Sequence, residues 1–285
     1  MNESAEAVGG DDARRSREAA LVARLRQLPS LIVAYSGGVD SAYLAWTASR
    51  VLGERALSVT ADSASYPERH RRMALSIAQQ FALNHEIIQT AELERPEYRA
   101  NNPDRCYHCK NELFTHLARL AGERGFAAVA DGSNADDRGD YRPGRRAAQE
   151  LGVISPLDEA GLTKDDVRAL SREAGLPTWD EPASACLSSR IPYFSEVTEA
   201  KLQVIEQAEE AVRALGFRVL RVRHHGEIAR IEVARDEMSR LLDPEIGGAV
   251  DRALRLLGFR FVTVDLKGYR LGSLNEGVVL RPVDR

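Results

Sequence analysis

The three cysteines are the residues of this 285-residue chain most open to chemistry. Cys106 and Cys109 form a C-x-x-C in the stretch RCYHCK, and Cys186 lies alone in ASACLSSR. An odd number of thiols at these spacings is no disulfide framework and suits a reducing compartment, the cytoplasm. Structural zinc needs four ligands, the chain offers only three cysteines, and His108 lies inside the C-x-x-C, where zinc geometry is awkward. A redox C-x-x-C wants a thioredoxin-like setting, which the sequence lacks. Three thiolates could instead hold an iron–sulfur cluster with one open iron. The bland alternative is three unrelated buried thiols, because cysteine packs as a small hydrophobe.

The second chemical signature is YSGGVDS, Tyr35 to Ser41. Gly37 and Gly38 allow a tight turn that aims backbone N–H groups at an anion. The helix expected after the turn adds its positive end, and Ser36 and Ser41 add hydroxyls. Asp40 is out of place in a pure anion loop unless Mg²⁺ accompanies a phosphate. No Walker A lysine is present. A plain glycine turn between strand and helix is the ordinary alternative. The hexapeptide SGGVDS resembles the PP-loop of the ATP pyrophosphatases. That resemblance implies an adenylating enzyme that splits ATP to AMP and pyrophosphate, with a PP-loop (adenine nucleotide α-hydrolase-like) fold over roughly the first 180 residues.

These residues need elements to position them. SLIVAY reads as a buried strand, VDSAYLAWTASRVLG as a helix, ALSVTA as a strand and PERHRRMALSIAQQFAL as a helix with Pro67 at its first position. NHEIIQT, FAAVADGSN and GVISPL read as further strands. A helix over KNELFTHLARLAGERG is closed by Gly125, and another opens at Thr163 with Asp166 three residues on. Alternating strands and helices make an α/β unit: a parallel sheet with helices on both faces. After about residue 180 the pattern changes to a long helix, two strand-like stretches, a helix and a strand, a smaller α+β domain. The expected division is a disordered tail at 1–11, the ATP domain at 12–180, a cysteine-bearing linker at 181–197 and the small domain at 198–285.

In such a sheet the ligand lies beyond the carboxyl ends of the strands. Thr60, Ala61 and Asp62 should therefore line the nucleotide pocket, and so should the end of the fourth strand, DGSNADD, Asp131 to Asp137. Asp131, Asp136, Asp137 and Asp140 are either a solvated acidic loop or the Mg²⁺ and phosphate side of the site. The second view is taken for Asp131 and Asp140. Arginines suit carboxylates and phosphates, and Arg190, Arg221 and Arg223 are candidates. Arg221 and Arg223 alternate in a strand and share a face. Glu232 could pair with one of them or hold a metal. Each arginine could equally be an ordinary surface residue.

DGSNADDRGDYRPGRRAAQELGVISPL, GLPTWDEPASACLSSRIPY and RVRHHGEIARIEV together resemble the LarE family, pyridinium-3,5-biscarboxylic acid mononucleotide sulfurtransferases. The likeness covers nearly the whole chain after its tail. It implies adenylation of a carboxylate of a pyridinium mononucleotide and its conversion to a thiocarboxylate, for a nickel-pincer cofactor of lactate racemase. It places Cys186 at the sulfur-donor position. With Cys106 and Cys109 present, the chain resembles the version that holds a [4Fe-4S] cluster on three cysteines, not the version that sacrifices one. Phe194 departs from the family pattern, where a glycine is expected. The family also implies a homo-oligomer.

Composition agrees with a small-molecule enzyme: net charge −4, pI near 6.0, 44% hydrophobic residues. That acidity argues against a surface built to grip nucleic acid, and so against the nearest rival, a tRNA thiolation enzyme. A synthetase such as NAD synthetase would leave the cysteines unexplained. A metal carrier with a vestigial nucleotide pocket would show no ATP chemistry. No apolar run approaches the roughly 20 residues of a membrane span, and no signal peptide is expected.

Overall fold

The computed structural model describes residues 3–139, 143–182, 185–270 and 272–273. In chain order the elements are α1 (Glu3–Arg26), β1 (Leu31–Ala34), α2 (Val39–Leu52), β2 (Ala56–Asp62), α3 (Glu68–Gln80) and β3 (His85–Gln89). There follow α4 (Pro96–Arg99), α5 (Arg105–Arg124), β4 (Ala128–Ala130), α6 (Pro143–Glu150), α7 (Pro156–Glu159) and α8 (Lys164–Glu173). The chain continues with α9 (Glu199–Ala214), β5 (Leu220–His225), β6 (Ile228–Val233), α10 (Met238–Leu241), α11 (Pro244–Leu256) and β7 (Phe261–Val264). They fall into two compact units, Met1–Glu92 with Cys106–Ser184, and Leu93–Arg105 with Ala185–Arg285. The expected division was linear. Here the segment Leu93–Arg105 leaves the first unit and joins the second.

The first unit is a parallel sheet in the order β3-β2-β1-β4. Its period-two alternation is visible in β1. Leu31 and Val33 pack with Leu21 and Leu25 of α1, Ala42 and Ala45 of α2, and Val167 and Leu170 of α8. Ile32 points the other way, with Leu57, Val59 and Phe114 and Leu117 of α5. The sheet is therefore covered by helices on both faces, and each fully buried aliphatic side chain contributes roughly 1.5–3 kcal/mol.

Several local expectations change. α1 starts at Glu3, so residues read as a disordered tail to position 11 are helical. Glu3, Ala5, Glu6 and Ala7 are good helix formers and outweigh Gly9 and Gly10. GVISPL is not a strand. Ile154 makes one parallel bridge to Ala130, and Pro156 then opens α7. Pro67 is the N-cap of α3 rather than its first residue, with ψ 134°. Thr163 and Asp166 do form a full capping box on α8. Gly125 follows α5 at φ 70°, a left-handed value that favours glycine.

The second unit holds the mixed sheet β5-β6-β7, antiparallel between β5 and β6 and parallel between β6 and β7. Leu220, Val222, Ala229, Ile231 and Val233 form its core face against Ala208 and Val212 of α9 and Val250 and Leu254 of α11. The intervening residues Arg221, Arg223, Arg230 and Glu232 lie on the opposite face. Among the described residues no helix is long and apolar enough to cross a membrane.

Candidate functional site

In the first unit the strand order reverses at β1, whose neighbours β2 and β4 lead away on opposite sides. The loops after β1 and β4 flank that point, where α/β sheets bind ligands. SGGVDS spans the β1–α2 turn and the first turn of α2. Gly37 has φ +65°, and a Cβ on it would lie 2.8 Å from the Ala74 Cβ of α3. Both facts demand glycine. Gly38 is the N-cap of α2, and Ser41 closes the turn: its Oγ accepts from Ser36 N at 3.2 Å and donates to Gly38 O at 3.1 Å. Tyr66 OH donates to Ser36 O at 2.9 Å and fixes the loop from outside.

The β4 loop presses on the same turn. A Cβ on Gly132 would lie 2.9 Å from Ser41 N, so only glycine lets the two loops meet. Asn134 Nδ2 donates to Asp40 Oδ1 at 3.2 Å, and Lys164, the first residue of α8, forms an ion pair with the same carboxylate. Gly132 and Asn134 fall within the 131–137 stretch expected to line the pocket, whereas Tyr66 and Lys164 were missed in the sequence. Lys164 could have been suspected, because it directly follows the Thr163 cap of a helix whose turn faces the loop.

The expected nucleotide residues have mixed placements. Ala61 and Asp62 end β2 half-buried. Thr60 is buried, and its hydroxyl is already engaged: it donates to Tyr35 O at 2.8 Å and bonds His85 Nε2 at 2.9 Å. The single Thr60 hydroxyl proton goes to Tyr35 O, which leaves its oxygen to accept from His85 Nε2, and burial lowers the His85 pKa. Asp131 accepts from Ser133 N, Ser133 Oγ and Ser155 Oγ at 3.1, 2.8 and 2.8 Å. Asp136 accepts from Lys164 N and Asp137 from Asn134 N, so both carboxylates shape the loop. Asp140 lies outside the described residues.

Cys106 and Cys109 occupy the first turn of α5, and their i,i+3 spacing puts both thiols on one side of the helix. Cys106 is exposed, Cys109 half-buried, and neither is in a disulfide. Gly144 of α6 faces this turn, where a Cβ would meet Lys110 Cγ at 2.8 Å. Among the described residues no three His, Cys, Asp or Glu are gathered so as to hold a metal ion.

In the second unit Cys186 is the N-cap of a short 3-10 turn, Leu187–Arg190, and is half-buried. Arg190 was expected to face substrate, but the structure uses it to build this loop. It is 1% exposed. Its Nε and Nη2 grip Glu209 of α9 at 2.8 and 2.9 Å. Its Nη1 bonds Ala185 O, Cys186 O and Ser189 Oγ at 2.8, 2.9 and 2.9 Å. Burial opposes the Arg190 charge, but the Glu209 carboxylate outweighs it and raises the pKa, with a smaller contribution from Cys186. Glu209 mirrors this: burial would raise its pKa, and Arg190 lowers it overall.

Arg221 and Arg223 share the polar face of the sheet. Arg221 carries a buried charge with its guanidinium 5.2 Å from the Tyr269 ring. Burial and then Arg190 bring its pKa down to about 10. Arg223 donates to Ser189 O at 2.8 Å and to Glu232 Oε2 at 2.7 Å, while its buried Nε has no partner among the described residues. Glu232 is fully buried and also takes Arg230 at 3.1 Å and Ser273 Oγ at 2.8 Å. Glu232 is thus an arginine partner. Arg190, Arg221 and Arg223 gather here, with Glu209 and Glu232 as their buried carboxylate partners. Arg190 is taken up by Glu209 and the loop oxygens, and Arg223 and Arg230 share Glu232, while Arg221 Nη1 donates to Leu220 O.

No family model matches the chain. It is 38% identical over 262 residues to the pyridinium-3,5-bisthiocarboxylic acid mononucleotide synthase of Lactiplantibacillus plantarum, covering 92% of this chain and 94% of that one. It is 43% identical over 250 residues to an uncharacterized protein of Synechocystis, covering 88% and 93%. A weaker likeness, 28% over 192 residues, links 62% of the chain to 61% of a glutamine-hydrolyzing GMP synthase component of Methanococcus vannielii. Near-complete coverage at these identities, on a parallel sheet carrying a PP-loop, shows that the chain belongs to the LarE family of pyridinium mononucleotide thiocarboxylate-forming enzymes.

Proposed function

We propose that the chain uses ATP to adenylate a carboxylate of a pyridinium mononucleotide and then replaces the AMP with sulfur, giving a thiocarboxylate. The observation that carries this is the SGGVDS turn, with Gly37 at φ +65° and Gly132 packed on Ser41 at the switch point of the sheet. The N–H groups of that turn and the positive end of α2 would hold the phosphates. Asp40 would hold the Mg²⁺ that accompanies ATP, beside Lys164. The carboxylate oxygen of the substrate attacks the α-phosphorus, and pyrophosphate leaves against the loop N–H groups and Lys164. Arg221 and Arg223 would take the acidic groups of the mononucleotide.

Three thiols and no fourth are the donor set for a [4Fe-4S] cluster with an open iron. Cys106, Cys109 and Cys186 would hold it, and when bound it would supply the sulfur atom. Arg190 and Ser189 both donate to the Cys186 carbonyl, which restrains the backbone that carries the thiol.

Exchange of labelled pyrophosphate into ATP tests this reading. Exchange that depends on pyridinium-3,5-biscarboxylic acid mononucleotide is expected. Exchange that instead requires tRNA, with the mononucleotide inert, would overturn it.

A further inference from the structure

The turn bearing Cys186 is short, and its own hydrogen bonds do not determine where it lies. Besides Arg190 on Glu209 and Arg223 on Ser189 O, it is held within the second unit by the segment Leu93–Arg105, distant in sequence. Asn101 is fully buried with φ 55°, a left-handed conformation that asparagine tolerates better than most side chains. Its Nδ2 donates to three backbone carbonyls, Ile191 O at 3.2 Å, Pro192 O at 2.8 Å and Ser195 O at 3.0 Å. Its own carbonyl accepts from Phe194 N at 3.0 Å. Its Oδ1 accepts from Arg105, whose Nη1 also donates to Ser188 O at 2.9 Å. Tyr98 OH meets Ser188 Oγ at 2.6 Å, with both residues fully buried.

We infer that Asn101, backed by Arg105 and Tyr98, is a positioning residue for Cys186: it holds the Cys186 loop by its backbone so that the thiol stays in one place for sulfur chemistry. The inference rests on the reading that Cys186 handles sulfur. Three carbonyls converging on one nitrogen require a donor there. The left-handed φ suits asparagine or glycine, and of the two only asparagine supplies the bonds. Phe194, 71% exposed at φ 66°, sits inside the same braced stretch, which accounts for how a non-glycine residue is kept in that conformation.

The test compares Asn101→Gly, which keeps the φ freedom and removes the side-chain bonds, with Asn101→Asp, which keeps the size and turns the donor into an acceptor. The full chain is reduced and freed of iron, and iodoacetamide labelling of each cysteine is followed by peptide mass spectrometry. Labelling of Cys186 should rise about tenfold in both variants, the scale set by losing one or two net hydrogen bonds. Cys106 and Cys109 should keep their native rates. In the iron-loaded protein, sulfur transfer should fall by a similar factor while mononucleotide-dependent pyrophosphate exchange and the KM for ATP stay native. Tyr98→Phe should move Cys186 labelling the same way by less. Native labelling in Asn101→Gly, or a rise at all three cysteines together, would overturn the inference. If the unaltered chain transfers no sulfur, the reading of Cys186 fails, and the labelling comparison still judges the brace.

Discussion

The phosphate loop and the cysteine loop are built by opposite means. The first is backbone chemistry: a close-packed, left-handed Gly37, a helix N-terminus capped by Gly38 and short serine contacts within six consecutive residues. The second is side-chain chemistry: the turn's own Arg190, on Glu209, and the distant Asn101, Arg105 and Tyr98 hold it in place. Tyr98 and Ser188 are 90 positions apart. A site made of backbone must be written as a local motif. A site made of borrowed side chains leaves no local trace beyond its reactive residue. Gly37 and Asn101 show the difference in one conformation: both are left-handed, but a Cβ at 37 has no room, while the side chain at 101 makes the site.

The largest expected effect separates the two loops. Cys186→Ala should abolish thiocarboxylate formation and leave mononucleotide-dependent pyrophosphate exchange intact. Loss of both in a protein that still melts normally would merge the two sites into one function. Next comes the buried pair. Glu209→Ala leaves the Arg190 charge buried and alone and should cost about 3–5 kcal/mol, read as a drop in thermal midpoint with loss of the Cys186 loop.

Glycine substitutions sharpen the phosphate side. Gly37→Ala should cost about 1–2 kcal/mol from its left-handed φ alone, more from the Ala74 contact, and should suppress pyrophosphate exchange. Gly38→Ala, at φ −74° with its Cβ 3.6 Å from Ser36 Oγ, should keep a near-native thermal midpoint. Removing a cap is milder: Thr163→Ala should lower stability by about 1 kcal/mol, and a chemical denaturation curve would register it.

The smallest effect is on pH. Burial lowers the pKa of His85, His224 and His225 from 6.5. The folded state therefore binds fewer protons than the unfolded one below that value. Stability from these groups is fully present above pH 6.5 and is lost as the pH falls toward their folded values. The thermal midpoint should thus decline between about pH 7 and pH 5, and His85→Gln should flatten the decline.

The sequence made the first unit legible because its signals are periodic. Leu31, Ile32 and Val33 alternate between two cores, and the glycines at 37 and 38 mark the turn between strand and helix. The pairing of Arg221 and Arg223 on one face followed from the same period of two. What stayed hidden came from three dimensions. GVISPL has a strand's composition, but Pro156 ends it after one bridge. Lys164 reaches Asp40 across 124 positions, and no local pattern announces that pairing. Arg190 reads as a substrate contact because it neighbours Cys186, but only the fold shows that Glu209 and three loop oxygens occupy its guanidinium. The segment Leu93–Arg105 lies between two elements of the first unit in sequence, yet it packs with the second, to which it is tied by bonds to residues 188–197.

Thiocarboxylate formation itself is the most direct measurement. Protein purified without oxygen would be given ATP, Mg²⁺, sulfide and pyridinium-3,5-biscarboxylic acid mononucleotide, and the products resolved by mass. A thiocarboxylate mononucleotide is expected, with one AMP and one pyrophosphate released for each oxygen replaced. ADP and phosphate in place of AMP and pyrophosphate, or AMP without any sulfur in the mononucleotide, would contradict that chemistry.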